Sequence, residues 1–542
     1  LKQHLHRNHG CPTRFRQRIL QGGSTLQDET KLYTLVNVPV QLILLGFSNT
    51  ASTQVEKLVR AAGHGPVAQV EDLLQLPLDP NLADAQGQTP LAAACQHGRK
   101  ETASLLLEAG GDKDLAFNAG WTPLMIASRM GQGDVVQLLL EAGADLDLAN
   151  NGGYTALIVA SHAGHAEIVG LLVAAGADKD RVSTRGTALM VAALRGHRRT
   201  THLLLEARAA QNLATDDGTT ALMMASHSGK VELVSLLLDA GADTDQVNKQ
   251  GWSALMAASQ QGEVNCVDLL LQAGARKDLG DKDRVTALFT AAEEGQAEAV
   301  QILLQAAADI NFAAADGSTA LSIAARRGHY KVVHLLLQGG SEKEVPNSEG
   351  WTALMLASQE GHASVARLLV EFGAALDVAN SHGWVALMAA SQQGHVEVVR
   401  LLLEARANKD LVNRENNFTS LMAASRNGHH EVAQLLLAAG SEKDLVNSQG
   451  WTALMEASHQ GHHSAVLSLL QATASLNWAS ANGTTALMLA AHKGNHRVVG
   501  LLLKARADTD PVDCNGFSAL QLASHQHHAE VVELLEQKAF GE

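Results

Sequence analysis

The segment Trp121-Thr-Pro-Leu-Met-Ile-Ala-Ser-Arg-Met-Gly-Gln-Gly-Asp-Val-Val-Gln-Leu-Leu-Leu-Glu-Ala-Gly143 decides the architecture, because its pattern returns about every 33 residues along most of the chain. A threonine or serine followed two residues later by leucine runs from Thr89-Pro-Leu91 through Thr122-Pro-Leu124 and Thr155-Ala-Leu157 to Ser518-Ala-Leu520. The steps are 33 residues, except for one of 32 and one of 34. So strict a period means units that stack on their neighbours, not one globular core. It points to an extended binding surface rather than an enclosed reaction pocket.

Counted from that position, leucine stands two residues on and alanine five residues on in all fourteen repeats, from Ala94, Ala127 and Ala160 to Ala523. Glycine follows nine residues on in thirteen of them, from Gly98 to Gly494. Pro123-Leu-Met-Ile-Ala-Ser-Arg129 predicts a short helix of two turns. Its small Ala lets a neighbouring helix approach, and Gly ends it because Gly tolerates the left-handed conformation. Asp134-Val-Val-Gln-Leu-Leu-Leu-Glu141, apolar at i, i+3 and i+4, predicts a second helix. That helix commonly stops at another glycine, as at Gly110, Gly143, Gly241 or Gly373. The links Asn248-Lys-Gln-Gly251, Asn347-Ser-Glu-Gly350 and Asn447-Ser-Gln-Gly450 carry turn chemistry and predict a projecting, hairpin-like finger.

These residues together resemble the ankyrin repeat, over residues 84–537 in fourteen repeats. Residues 53–83, with Val55-Glu-Lys-Leu-Val-Arg-Ala-Ala62 and Val70-Glu-Asp-Leu-Leu74, resemble a first repeat without its finger, as expected of a polar cap. His527 replaces the recurrent Gly and suggests a cap at the other end, ahead of a tail at 538–542. The family's Thr-Pro-Leu-His tetrapeptide has lost its His in every repeat. Met stands there nine times (Met125, Met190, Met223, Met256, Met355, Met388, Met422, Met455, Met488), out of eleven in the chain. The resemblance implies that the missing His would hydrogen-bond adjacent repeats, so thioether packing replaces a polar link. A buried methionine seam and a methionine-lined groove for a ligand or metal are both open at this point.

Residues 1–47 do not follow the period. They predict a helix ending at Gly10, a strand at Arg16-Gln-Arg-Ile-Leu20, a turn at Gln21-Gly-Gly23, a short element at Leu26-Gln-Asp-Glu29 and a final strand within Val38–Leu45. This order resembles the later part of a ubiquitin-like domain, joined by a linker at 48–52. The opening hairpin of such a domain is missing and the chain opens on Leu1, so the segment is expected to be truncated and the chain a fragment. Gly46-Phe-Ser-Asn-Thr50 follows in place of a terminal Gly-Gly, which argues against ubiquitin-type conjugation. The expected fold class is therefore an all-α repeat solenoid of ankyrin-like helix-turn-helix stacks with hairpin fingers. A small, truncated α+β ubiquitin-like segment precedes it.

Aromatics are only 3% of the 542 residues, so a core must be built from Leu, Ala, Val and Met. The net charge of −15 argues against nucleic acid or an anionic membrane as the main partner. Cys11, Cys95, Cys266 and Cys514 lie far apart without CxxC spacing, consistent with a reduced compartment. The expected location is cytoplasmic (intracellular), with the nucleus also open. No apolar run reaches the roughly 18–20 residues needed to span a bilayer. No P-loop, HExxH, nucleophile elbow or kinase signature is present, so no catalytic residue, metal ligand or cofactor is assigned.

The candidate partner-binding residues stand just before each Thr/Ser, where an ankyrin-like array implies a surface facing the concave groove. They are Trp121, Tyr154, Trp252, Trp351, Trp384, Phe418, Trp451 and Phe517, and they include five of only six tryptophans. Aromatic rings give large contact area at low entropic cost. Two readings stand, partner contact and stiffening of adjacent fingers, and the run Trp351 to Trp451 is the expected main patch. Histidines recur after the helix-ending Gly (His165, His197, His329, His362, His395, His429, His462, His528), one per repeat, which is not metal-ligand spacing. The resulting expectation is a non-catalytic scaffold or adaptor binding partner proteins, of unassigned identity and oligomeric state. The alternative is the regulatory or substrate-recognition portion of a larger enzyme or ubiquitin-pathway component.

Overall fold

The protein is represented by a computed structural model that describes residues 17–21, 24–25, 40–44, 52–76 and 78–539. These residues hold thirty helices, Ser52–His64 to Ala529–Ala539. Three short strands, β1 (Gln17–Gln21), β2 (Ser24–Thr25) and β3 (Val40–Leu44), form an antiparallel sheet in the order β2-β1-β3. The strands expected near residues 16–20 and 38–45 are thus seen. The helix expected before Gly10 lies outside the described residues. The ubiquitin-like resemblance of residues 1–47 finds no support among the described residues.

Each repeat is built by local rules. The Thr sits in an extended conformation as N-cap, and outside Thr352 its hydroxyl accepts the N–H of the third helical residue, as Thr122 does from Met125 (3.3 Å) and Thr452 from Met455 (3.4 Å). Val385 occupies this place in one repeat and leaves the helix Ala386–Gln393 with no side-chain cap. The glycine nine residues on takes a left-handed φ, +79° at Gly328, and the chain turns directly into the second helix. The second helix ends the same way, but five repeats place a side chain there. Arg208, Ala307, Arg406, Thr473 and Arg506 adopt φ between +57° and +68°.

Contacts divide the chain into two compact bodies, Leu1–Ala257 with Gln272–Ala275 and Ala258–Leu271 with Arg276–Glu542. Within each, first helices pack against first helices and second against second. Leu354, Met355 and Ala357 of the first helix Ala353–Gln359 and Val365, Ala366 and Leu369 of the second helix Ala363–Glu371, which packs against it, are all buried. A Leu→Ala change in such a core costs about 2–5 kcal/mol. All nine methionines of the column are buried, so they form the core seam and not an open groove.

Within each body, three ladders of hydrogen bonds tie repeats to their neighbours. The first uses the recurrent histidines. His165, His197, His329, His362, His395, His429, His462 and His528 each place Nε2 2.8–3.1 Å from the carbonyl oxygen of a residue 35–37 positions earlier. A carbonyl only accepts, so Nε2 carries the hydrogen. The second ladder was not foreseen. A side-chain oxygen at the base of one finger accepts the N–H at the base of the next, as Asp147 does from Asp178 (2.9 Å) and Asp444 from Ser475 (2.7 Å). The third joins finger tips through backbone, as Ser348 N–H to Asp316 O (2.7 Å) and Arg414 N–H to His382 O (2.9 Å). Each interrepeat bond contributes about 1 kcal/mol, so their repetition matters more than any one of them.

Candidate partner-binding surface

The finger is a tight turn closed by an Asn or Asp side chain. Asn347 Oδ1 accepts the N–H of Glu349 (3.1 Å) and of Trp351 (2.8 Å), while Asn347 N–H donates to Trp351 O (3.0 Å). Asn150, Asn248, Asn380, Asn447 and Asp513 grip Tyr154, Trp252, Trp384, Trp451 and Phe517 in the same way. Asn413 does so for Phe418 across one extra residue. The aromatic residue is therefore placed by its own turn, immediately before the first helix starts.

The eight rings are not equivalent. Trp121, Tyr154, Trp252, Trp351, Trp384 and Trp451 are half-buried. Phe418 is only 5% exposed and Phe517 is 40% exposed. Four of them lie beside a side chain eight residues later, in the last turn of the first helix of the same repeat. The Arg129 guanidinium lies 5.1 Å from the Trp121 centroid and that of Arg426 5.6 Å from Phe418. His459 lies 5.1 Å from Trp451 and His525 6.3 Å from Phe517. Each of these four rings lies beside a side chain of its own first helix, and all of the eight but Phe418 keep part of their surface exposed. Trp478, the tryptophan outside this register, is 41% exposed, and its indole N–H donates to Gly450 O of the preceding finger (3.1 Å). Its off-period position was the signal that could have found it.

In the first body, the helix face and the fingers enclose four clefts that share lining residues from Gln96 to Trp252. The largest of these, about 560 Å³, is lined by Trp121, Arg129, Tyr154, Val159, His162 and Arg185, with the finger tip at Asn150–Gly152. His162 is held below its usual pKa by burial and then by Arg195 and Arg185. Its Nε2 lies 3.1 Å from Arg195 Nε and 2.9 Å from Arg195 Nη2, so neutral His162 accepts from that guanidinium.

The second body contributes an unusual buried group. Glu456 lies at the position occupied by Ile126, Val159, Leu356 and Leu489 in other repeats, and it is buried. Burial pushes its carboxyl up, opposed by Arg426 and by a 2.9 Å hydrogen bond from Asn447 Nδ2. One turn on, burial lowers His459, whose buried Nδ1 has no partner. Nothing in the periodicity marks Glu456 except its charge in an apolar column.

Among the described residues no group of three or more His, Cys, Asp and Glu could hold a metal ion, and the recurrent histidines spend Nε2 on carbonyls. No helix among the described residues is long and apolar enough to cross a membrane. Cys95 and Cys266 are buried and burial raises both thiols, Cys266 to about 11, which disfavours the reactive thiolate.

The family model described as "Ankyrin repeats (3 copies)" matches residues 58–150, 142–216, 189–281, 273–347, 321–413, 405–479 and 472–540. No curated protein matches the chain. Among solved structures, the ankyrin repeat domain of Bcl-3, described as a unique member of the IkappaB protein family, is 31% identical, with 41% of this chain and 99% of that chain covered. Its TM-score of 0.37 is too low for its shape to bear on this one. The succession of family matches spans nearly every repeat, and with the capped helix pairs and fingers it places the chain in the ankyrin repeat family.

Proposed function

We propose that this protein is a non-catalytic scaffold or adaptor that binds partner proteins along the face made by its fingers and first helices. The observation that carries this reading is the half-buried aromatic ring set by an Asx turn at the same place in successive repeats. Such rings are already held in place, so little conformational freedom is lost when a partner covers them. Clefts that run into one another suit an extended partner segment better than a compact ligand. In the run Trp351 to Trp451, the half-buried rings of Trp351, Trp384 and Trp451 are the proposed main contact of the second body, Phe418 being only 5% exposed, and Trp121, Tyr154 and Trp252 are that of the first. The proposal includes an intracellular location, in keeping with cysteines too far apart in sequence for a disulfide framework.

The test takes one partner identified by affinity purification and measures its affinity by titration calorimetry. Trp351→Ala and Trp384→Ala, singly and paired, are each expected to weaken binding at least about tenfold if they are hot spots. Wild-type affinity in the double variant, with helical content retained, removes these two residues from the surface.

A further inference from the structure

We propose that the cleft lined by Trp121, Arg129, Tyr154 and Arg185 takes an acidic segment of a partner protein, an extended stretch in which Asp or Glu flanks an apolar side chain. This rests on the groove-binding reading above and gives it a chemistry. Three exposed guanidinium groups, Arg129, Arg185 and Arg195, cluster on this face in a protein whose net charge is −15. Among the described residues no carboxylate lies within ion-pair distance of any of them, whereas Arg198, on the second helix, pairs with Glu232 at 3.2 Å. Arg129 is held instead by the Trp121 ring and Arg195 by neutral His162, contacts that orient a guanidinium without neutralising it. Planar forks held in this way suit bidentate carboxylates.

The acids of the same repeats are engaged or turned elsewhere. Asp114, Asp147 and Asp180 serve the ladder at the finger bases, and Asp134, Glu141 and Glu167 lie on the second helices. The first helices Pro123–Met130, Ala156–Ala163 and Ala188–Arg195 carry no acidic residue at all. Arg185 also lines the next cleft, where Asp216 and Asp217 reverse the sign. The positive stretch is therefore short and bounded. The chain's own residues 1–47 hold six Lys and Arg against two Asp and Glu, the wrong sign to fill it. Between the guanidiniums, the Trp121 and Tyr154 rings and Val159 supply the apolar floor for the central side chain.

The experiment is fluorescence anisotropy on the full chain. The probe is a short fluorescein-labelled peptide of Asp and Glu around a central Leu-Leu pair, and its Asn/Gln counterpart is the neutral control. The acidic peptide is expected to bind at least about tenfold tighter than the neutral one and to weaken as salt rises. Paired Arg129→Glu and Arg185→Glu is expected to lose about tenfold or more, and the milder Arg129→Gln about threefold. Arg198→Glu, which reverses one charge on the second helix as each member of that pair does in the cleft, is expected to leave binding unchanged. Equal binding of the two peptides, an unaltered Arg129→Glu/Arg185→Glu variant, or an equal loss in Arg198→Glu would each overturn the proposal. A chain that dimerises in sedimentation and becomes monomeric on Arg185→Glu would also overturn it, by making a second copy the occupant. If the peptide fails while Trp351→Ala still weakens an identified partner, only the acidic assignment falls. If both fail, the groove reading falls with it.

Discussion

The Nε2 of His362 lies 3.0 Å from the carbonyl oxygen of Arg326, 36 residues earlier, and eight repeats make this contact in the same way. Gln296 makes an equivalent bond to Gln260 O at 3.2 Å. The contact therefore asks for a donor of the right reach, not for an imidazole. His362→Ala is expected to cost about 1 kcal/mol, and His362→Gln to recover most of it, in urea unfolding. A Gln variant no better than Ala would dismiss the hydrogen bond.

Gly328 and Gly373 have nearly the same φ, +79° and +77°, but a Cβ on Gly328 would meet His362 Cε1 at 2.7 Å, and one on Gly373 would meet nothing within 4 Å. Gly373→Ala should cost about 1 kcal/mol, the price of left-handed backbone alone. Gly328→Ala should cost about 1 kcal/mol more, because it also displaces the His362 bond. In a double mutant with His362→Ala that excess should vanish. Equal penalties at the two glycines would refute the steric coupling.

Val385→Thr should stabilise the protein by about 1 kcal/mol, by giving the helix Ala386–Gln393 the cap that Thr419 gives the first helix of the next repeat. The new hydroxyl has the Met388 N–H to accept from, so burying it leaves no polar group unsatisfied. A lower unfolding midpoint than wild type would count against it.

Glu456 gives a pH dependence of definite sign. Burial raises its carboxyl above the ordinary 4.5, so the folded state holds the proton more tightly than the unfolded chain. Its stabilising contribution is fully present below about pH 4.5 and is lost as pH rises through the folded value. Glu456→Leu, which copies Leu356 and Leu489, should therefore gain about 1 kcal/mol or more at pH 7, and the gain should shrink toward pH 4.5. Unfolding midpoints of both proteins across that range decide it. A gain that does not change with pH would mean that the carboxyl is not buried as described.

Phe418 and Phe517 occupy the same register but differ in exposure, 5% against 40%. Phe418→Ala should lower stability by about 3 kcal/mol, and Phe517→Ala by less than about 1 kcal/mol. Thermal unfolding of the two single variants separates them. Similar losses would mean that the register, not the burial, sets the role.

Much of this protein was legible in its sequence because a repeat states its rules many times over. Thr122 as cap, Leu124 and Ala127 as core, Gly131 as terminator and Asn150 as turn former are all local chemistry, decided within a few residues of chain. Even the substitution of Met for His had a definite outcome, since an apolar side chain at a core position is buried. The recurrent histidines, whose spacing carried no metal-ligand pattern, place Nε2 on carbonyls of the preceding repeat.

Contacts across about 30 residues of chain were not legible. Asp147 and Asp178 stand 31 residues apart, and only packing brings an oxygen of one to the backbone of the other. Phe418 and Trp351 looked alike until neighbours covered one more than the other. The cationic cleft at Arg129 and Arg185 depends on which acids point away, and composition, with its net negative charge, suggests the opposite. Periodicity determined the fold because helix caps, turns and apolar faces are set by near neighbours. Tertiary structure alone decided the surface, because burial, charge isolation and orientation arise only when one repeat is laid against the next.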